Sequence, residues 1–131
     1  MVIDKVAWVL LEDGRLLGAR SHGMDAFYLP GGKREPGETD VDALLREIAE
    51  ELTVSLVPET FHHVGTYEAP AHGKTDVTVR MTCYTADYSG TLTPQAEIAE
   101  IAWLTHADRD RVSAANRLVL DTLHTQGLLI P

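Results

Sequence analysis

Apolar and polar positions alternate along this chain in blocks short enough to mark individual strands, with two helical stretches between them. Val2–Leu11 is an apolar run, and Glu12-Asp13-Gly14 supplies a hairpin turn that leads into a second strand over Arg15–Arg20. Ser21–Ala26 is polar and contains glycine, so it reads as a loop. Phe27-Tyr28-Leu29 is a short strand that Pro30-Gly31-Gly32 stops, and Pro36-Gly37 makes Lys33–Glu38 another loop.

The rhythm then changes. Thr39, followed three residues later by Asp42, predicts a helix start with Asp in the place usually held by Glu or Gln. At about 100° per residue, Val41, Leu44, Leu45, Ile48 and Leu52 fall on one stripe, and Glu47, Glu50 and Glu51 fall on a neighbouring one. One face is core, the next is carboxylate, and the helix should end near Leu52-Thr53.

Beyond it, Val54–Leu56 and His62–Tyr67 read as extended segments, and Ala69–Asp76 as a turn-rich loop. Val77–Tyr84 alternates as a strand does, with Thr85–Tyr88 extending it towards Gly90; Ile98–Leu104 is a further extended piece. A second helix is expected from about Ser113 to Thr125, with Leu118, Val119 and Leu123 partly periodic. The expected fold class is α/β: a three-layer α/β/α sandwich around a mixed, partly antiparallel sheet, with residues 1–131 as a single domain. There is no internal repeat, linker or low-complexity segment.

Composition narrows the functional classes. The 44% hydrophobic and 24% charged content is that of an ordinary globular domain. Eleven basic against twenty acidic residues give a net charge of -9, which argues against a groove for a nucleic-acid polymer. No apolar run approaches the roughly 20 residues of a membrane span, and no signal peptide is recognisable, so a cytoplasmic location is expected. Cys83 is the only cysteine, so no intrachain disulfide can form and a packed free thiol is expected. An acidic chain can still take a phosphorylated ligand, because bound Mg²⁺ or Mn²⁺ turns a carboxylate cluster into a phosphate site.

Such a cluster is present. Like charges spaced i, i+3 and i+4, as in Glu47, Glu50 and Glu51, destabilise a helix unless something neutralises them, and a hard dication with oxygen ligands is the natural candidate. The competing reading is a solvated acidic face. It weakens here because a Gly-Gly turn able to bring a backbone carbonyl close precedes the helix, and because Arg46 and Glu38 flank the carboxylates; Arg46 can clamp one of them by a bidentate pair. Gly31-Gly32-Lys33 lacks the spacer and the Ser or Thr of a Walker loop. The six histidines are scattered, and His62 and His63 read as strand residues.

The stretch Gly32–Val54 resembles the box of the Nudix hydrolases, Gly-x5-Glu-x7-Arg-Glu-apolar-x-Glu-Glu-x-Gly-apolar. Gly32, Glu38, Arg46, Glu47, Ile48, Glu50, Glu51 and Val54 match it, and Thr53 departs from it where the box has Gly. The resemblance implies the family's α/β/α fold and hydrolysis of a nucleoside diphosphate linked to another moiety, dependent on Mg²⁺ or Mn²⁺. It implies Glu47, Glu50 and Glu51 as metal ligands, joined by the carbonyl of Gly31. Glu97, six residues before Trp103, is the matching further carboxylate, with Glu100 the runner-up. Glu50, Glu51 or Glu97 would accept the proton of the attacking water. Arg46 would orient a glutamate, and Glu38 would support the loop–helix geometry or reach a metal through water. A β-branched Thr53 resists the positive φ common just after a helix, so either the helix ends differently or strain is stored there.

Substrate markers lie outside the box. Phe27 and Tyr28 are candidates to stack on a base, with core packing as the competing role. Arg20, Lys33 and Arg80 are candidates for phosphate oxygens, with solvated surface charge as theirs. Asn116, in Ala114-Ala115-Asn116-Arg117, resembles a segment of the family members that remove oxidised-guanine triphosphates, where the asparagine reads the purine; a helix-surface asparagine is the alternative. Pro70, sixteen residues past Val54, matches instead a position where ADP-ribose-cleaving members carry proline. The expected reaction is a (deoxy)nucleoside triphosphate giving monophosphate and pyrophosphate. ADP-ribose or nucleotide-sugar cleavage is the alternative, and a non-catalytic nucleotide-binding regulatory protein is the rival from another class. The expected partner is a small nucleotide. The apolar tail Leu128-Leu129-Ile130 covers either the domain's own core or a homodimer partner.

Overall fold

The computed structural model describes residues 1–71 and 73–131. In chain order the elements are β1 (Val2–Trp8), β2 (Leu11–Glu12), β3 (Arg15–Ser21), β4 (Gly31–Gly32), α1 (Asp40–Leu52), β5 (Ser55–Leu56), β6 (His62–Pro70), β7 (Thr78–Thr85), β8 (Tyr88–Ser89), β9 (Ile98–Leu104) and α2 (Ala114–Thr125). Short 3₁₀ turns at Pro58–Thr60 and His106–Arg111, with no clear signal in the sequence, precede β6 and α2.

The main sheet has the order β4-β1-β7-β6. Its central pair, β1 and β7, is parallel, and the flanking pairs are antiparallel. A second, antiparallel sheet runs β2-β3-β9, and β5 pairs with β8. Period-two alternation in β1 builds both sides of the molecule. Val6 and Trp8 join Ala43, Leu44, Ile48 and Leu52 of α1 in one core. Ala7 joins Ala115, Val119, Leu120 and Leu123 of α2 in the other. Two helices on opposite faces of a mixed sheet are the expected α/β/α layering.

The start of α1 follows its sequence signal. Thr39 Oγ1 accepts from the Asp42 amide at 3.1 Å, and Asp42 Oδ2 accepts from the Thr39 amide at 3.3 Å. At the other end the strain alternative holds. Thr53 sits at φ 59°, ψ 22°, and its amide still donates to the Ala49 carbonyl. The helix therefore exits through the left-handed conformation a glycine would adopt, at a cost of about 1–2 kcal/mol for a residue with a Cβ. The Thr53 hydroxyl donates to the Leu52 carbonyl at 2.7 Å.

Three local expectations change, and the open one about the tail takes the first of its two alternatives. Gly31-Gly32 does not merely stop a strand; it is the ladder strand, opposite Ala7 and Val6, while Phe27 and Tyr28 make only single bridges to Val112 and Ala19. A glycine pair carries no pattern of side chains, so periodicity could not see it. Pro70 lies in β6 rather than in a loop, at a sheet edge where its missing N–H costs nothing; the His72 part of the expected Ala69–Asp76 loop lies outside the described residues. Of Thr85–Tyr88 only Thr85 extends β7, opposite His62, because Tyr88 turns to pair with Leu56. The tail folds back on its own domain: the Ile130 amide donates to the Gly14 carbonyl at 2.9 Å and Leu129 is buried, while Leu128 faces solvent.

Cys83 is a free, buried thiol on β7, and burial pushes its pKa up to about 12. Among the described residues, no helix is long and apolar enough to cross a membrane.

Candidate active site

The Gly-Gly strand and α1 meet with no room for a side chain between them. A Cβ on Gly32 would lie 2.6 Å from the Glu47 carboxylate carbon, and one on Gly31 (φ 150°) would lie 2.0 Å from the Val6 carbonyl oxygen. The Gly31 amide donates to Glu51 Oε1 at 3.2 Å. The turn thus seats one glutamate by an N–H and admits the other by the absence of a side chain.

Glu47 and Glu51, one helical turn apart, come together with Glu97, with one carboxylate oxygen from each lying within 4.8 Å of the others. Glu97 arrives from a loop tied to the end of α1. The Thr93 and Gln95 amides donate to the Leu52 and Glu51 carbonyls, and Ala96 takes a positive φ of 54° just before Glu97. Glu51 is buried, and that burial, with the negative charges of Glu47 and Glu97, pushes its pKa up to about 9. Three converging carboxylates in a half-dry site repel one another unless protons or a cation intervene. An all-oxygen set without His or Cys fits a hard divalent cation such as Mg²⁺ or Mn²⁺.

Arg46 holds the rim. Its Nε and Nη2 donate to the two oxygens of Glu38 at 2.8 and 2.9 Å, its Nη1 donates to Glu47 at 2.8 Å, and its Nη2 also reaches the Lys33 carbonyl at 3.1 Å. The bidentate clamp expected on a ligating carboxylate therefore falls on Glu38, and Glu47 receives a single bond. The Arg46 guanidinium, helped by the Glu35 amide, holds Glu38 down at about 2. Glu50 stands apart from the three-carboxylate group. Its side chain is 57% exposed, with its oxygen 3.7 Å from Arg46.

Beside the carboxylates opens a cavity of about 640 Å³. Of the sequence candidates, Tyr28, Lys33, Gly31 and Asn116 line it, and so does Pro70. Tyr28 shares a short hydrogen bond with Ser21. Asn116 is buried rather than on the helix surface. Its Oδ1 accepts from the Leu29 amide at 2.9 Å and its Nδ2 donates to Ser113 Oγ at 2.6 Å. One N–H and one lone pair of the amide remain.

The other candidates are engaged elsewhere. Phe27 packs in the core with the Arg111 guanidinium 5.0 Å above its ring. Arg20 pairs with Glu100 at 2.8 Å across β3 and β9, which also takes the runner-up carboxylate away from the cluster. Arg80 pairs with Glu68 between β7 and β6. Sequence reasoning missed Lys5, Lys74, Ser21 and Ser113, all of which line the cavity. Lys5 alone left a signal, as a charge inside the apolar run Val2–Leu11.

A family model described as the NUDIX domain matches residues 3–123. The chain belongs to the NUDIX domain family. Its fold is similar to that of the E. coli ORF135 protein, with a TM-score of 0.76 and 23% identity over 96% of this chain and 91% of that one. Among curated proteins, 35 residues are 54% identical to human 8-oxo-dGDP phosphatase NUDT18, covering 27% of this chain and 11% of that protein. A further 41 residues are 49% identical to the RNA pyrophosphohydrolase of Halorhodospira halophila, covering 31% of this chain and 23% of that protein. The matches to these two relatives thus span less than a quarter of each one's length. Within this NUDIX domain, Thr53 occupies the box glycine's place while keeping a glycine's backbone conformation.

Proposed function

We propose that this protein is a Mg²⁺- or Mn²⁺-dependent pyrophosphohydrolase that converts a (deoxy)nucleoside triphosphate to its monophosphate and pyrophosphate. The observation that carries this reading is the convergence of Glu47, Glu51 and Glu97 at the edge of a cavity that is also lined by three lysines, Tyr28 and Asn116. When bound, the cation lowers the pKa of a coordinated water and neutralises phosphate oxygens. Glu47, Glu51 and Glu97 would hold it, and Gly31 and Arg46 keep two of those carboxylates aimed inward. A carboxylate of the cluster accepts the proton of the attacking water. Tyr28 and the unused polar atoms of Asn116 face the nucleoside, and Lys33 meets a phosphate oxygen.

The activities for which the two relatives are named, on 8-oxo-dGDP and on RNA, agree with phosphoanhydride chemistry on a nucleotide. Pro70 at the cavity wall favours the second reading, ADP-ribose or nucleotide-sugar cleavage. A cytoplasmic location belongs to the same proposal.

Chromatographic separation of products from a panel of triphosphates, ADP-ribose and nucleotide sugars, with Mn²⁺ present, tests the choice. Monophosphate plus pyrophosphate from triphosphates is expected. Selective release of AMP and ribose phosphate from ADP-ribose would move the assignment to the second reading, and no turnover of any member would leave a binding protein.

A further inference from the structure

The chain contains only three lysines, Lys5, Lys33 and Lys74, and all three line the one cavity beside the carboxylates. Six of the eight arginines behave differently. Arg20, Arg34, Arg46, Arg80, Arg109 and Arg111 each have a carboxylate within 4.0 Å, whereas among the described residues no lysine does. A protein of net charge -9 has thus gathered its unpaired ammonium groups around a single hollow.

Lys5 is the unexpected member. It lies on β1 on the same face as Ile3 and Ala7, with Met81 opposite it and Val79 opposite Ile3 on β7. This is the apolar face that α2 covers further along. Ala7 and Met81 belong to that core, and Val79 packs against it. A half-buried lysine on such a face costs free energy that an aliphatic residue would not. Residues that break a local rule without a compensating partner mark functional positions. Lys5 lines the same cavity as Lys33, Lys74, Glu47 and Glu51, so its ammonium shares that hollow with the carboxylates.

Resting on the nucleotide reading above, we propose that Lys5 is a specificity-determining residue whose ammonium pairs with a phosphate oxygen of the substrate, beside Lys33 and Lys74, and makes the site select polyphosphates. A chain of several phosphates carries enough charge to engage both the cation held by the glutamates and three ammonium groups. A ligand with fewer phosphate charges leaves Lys5 unpaired on an apolar wall.

The test is calorimetric titration of the parent and of Lys5→Met with two probes, Mn²⁺ alone and inorganic triphosphate in the presence of Mn²⁺. Methionine suits the apolar face, so the thermal midpoint should hold or rise. Affinity for triphosphate should fall about tenfold or more, the factor that one charge-assisted hydrogen bond confers. Affinity for Mn²⁺ alone should hold or rise, because a repelling charge has left the neighbourhood of Glu47 and Glu51. These opposite signs are what damage to the fold cannot produce. Unchanged triphosphate affinity, or parallel loss of both ligands and of the thermal midpoint, would overturn the assignment. Lys5→Gln, polar and neutral, repeats the comparison if Lys5→Met fails to fold. Turnover of triphosphates by the parent with no effect of Lys5→Met removes only the role of Lys5. Lys5-dependent triphosphate binding without hydrolysis of any panel member removes only the hydrolase reading.

Discussion

The two walls of the cavity are built in different ways. The carboxylate wall is local: Gly31, Gly32, Glu38, Arg46, Glu47 and Glu51 lie within 21 consecutive positions, and their hydrogen bonds join residues 1 to 20 apart in the chain. The rest of the lining is assembled from afar. Lys5 comes from β1, Tyr28 from the segment before β4, Pro70 from β6, and Ser113 and Asn116 from the start of α2. Local construction lets a helical repeat and a glycine turn place these carboxylates, while the distant wall exists only where the sheet and α2 bring separate segments together. A family signature can therefore sit in a short stretch while the rest of the cavity is set by residues elsewhere in the chain.

The largest effect expected on the local wall is from Glu51→Gln. Removing a carboxylate that is buried and held by the Gly31 amide should lower turnover by about 10²–10³-fold, the range for losing one preorganised electrostatic group. Glu50→Gln, at a half-exposed position beyond Arg46, should lose less. Steady-state kinetics decide this; equal losses would show that Glu50 turns inward when the site is loaded, and the wall would then not be preformed.

On the distant wall, Asn116→Ala strips the buried Leu29 amide of its acceptor. That should cost about 1–3 kcal/mol of stability, read by urea denaturation, in addition to any loss of base discrimination. A stability unchanged by this substitution would mean the Asn116 bridge between α2 and the strand-like segment before β4 is not what positions this wall.

What could be read beforehand follows the same division. Thr39, Asp42 and the stripe from Val41 to Leu52 specified α1 because capping and amphipathicity are short-range. The family resemblance points to Glu97 over Glu100, and Glu97 lies with Glu47 and Glu51 directly after Ala96, which takes a positive φ. Arg20, Arg80 and Phe27 were candidates on residue type alone. Cross-strand partners supply Glu100 and Glu68, and core packing absorbs Phe27, none of which a linear pattern contains. Lys5 was legible only as an anomaly whose meaning needs the register with Met81.

A pH titration of stability sharpens the local side. Hydrogen bonds from Arg46, and the Glu35 amide, hold Glu38 at about 2, below its ordinary 4.5. A depressed carboxylate contributes stability that is fully present above about pH 4.5 and is lost as the pH falls towards 2. Glu38→Gln should reduce that acid limb in thermal melts, leaving the part due to Asp121, which Arg109 also holds at about 2, and an unchanged limb would remove Arg46–Glu38 from the wall's support.

A smaller effect is expected from Thr53→Gly, which should stabilise the fold by about 0.5–1 kcal/mol. Relief of the left-handed Thr53 conformation slightly exceeds the added chain entropy of glycine and the loss of the hydroxyl bond to Leu52. Destabilisation would mean that this hydroxyl bond outweighs the backbone strain.

The central claim is that a cation site forms where the local wall receives one carboxylate from a distant loop. Mn²⁺ binding followed by electron paramagnetic resonance, on the parent, Glu97→Gln and Glu100→Gln, addresses it directly. The structure predicts binding by the parent and by Glu100→Gln, whose carboxylate is engaged by Arg20, and markedly weaker binding by Glu97→Gln. Mn²⁺ bound by Glu97→Gln as tightly as by the parent, or no Mn²⁺ bound by the parent, would contradict it.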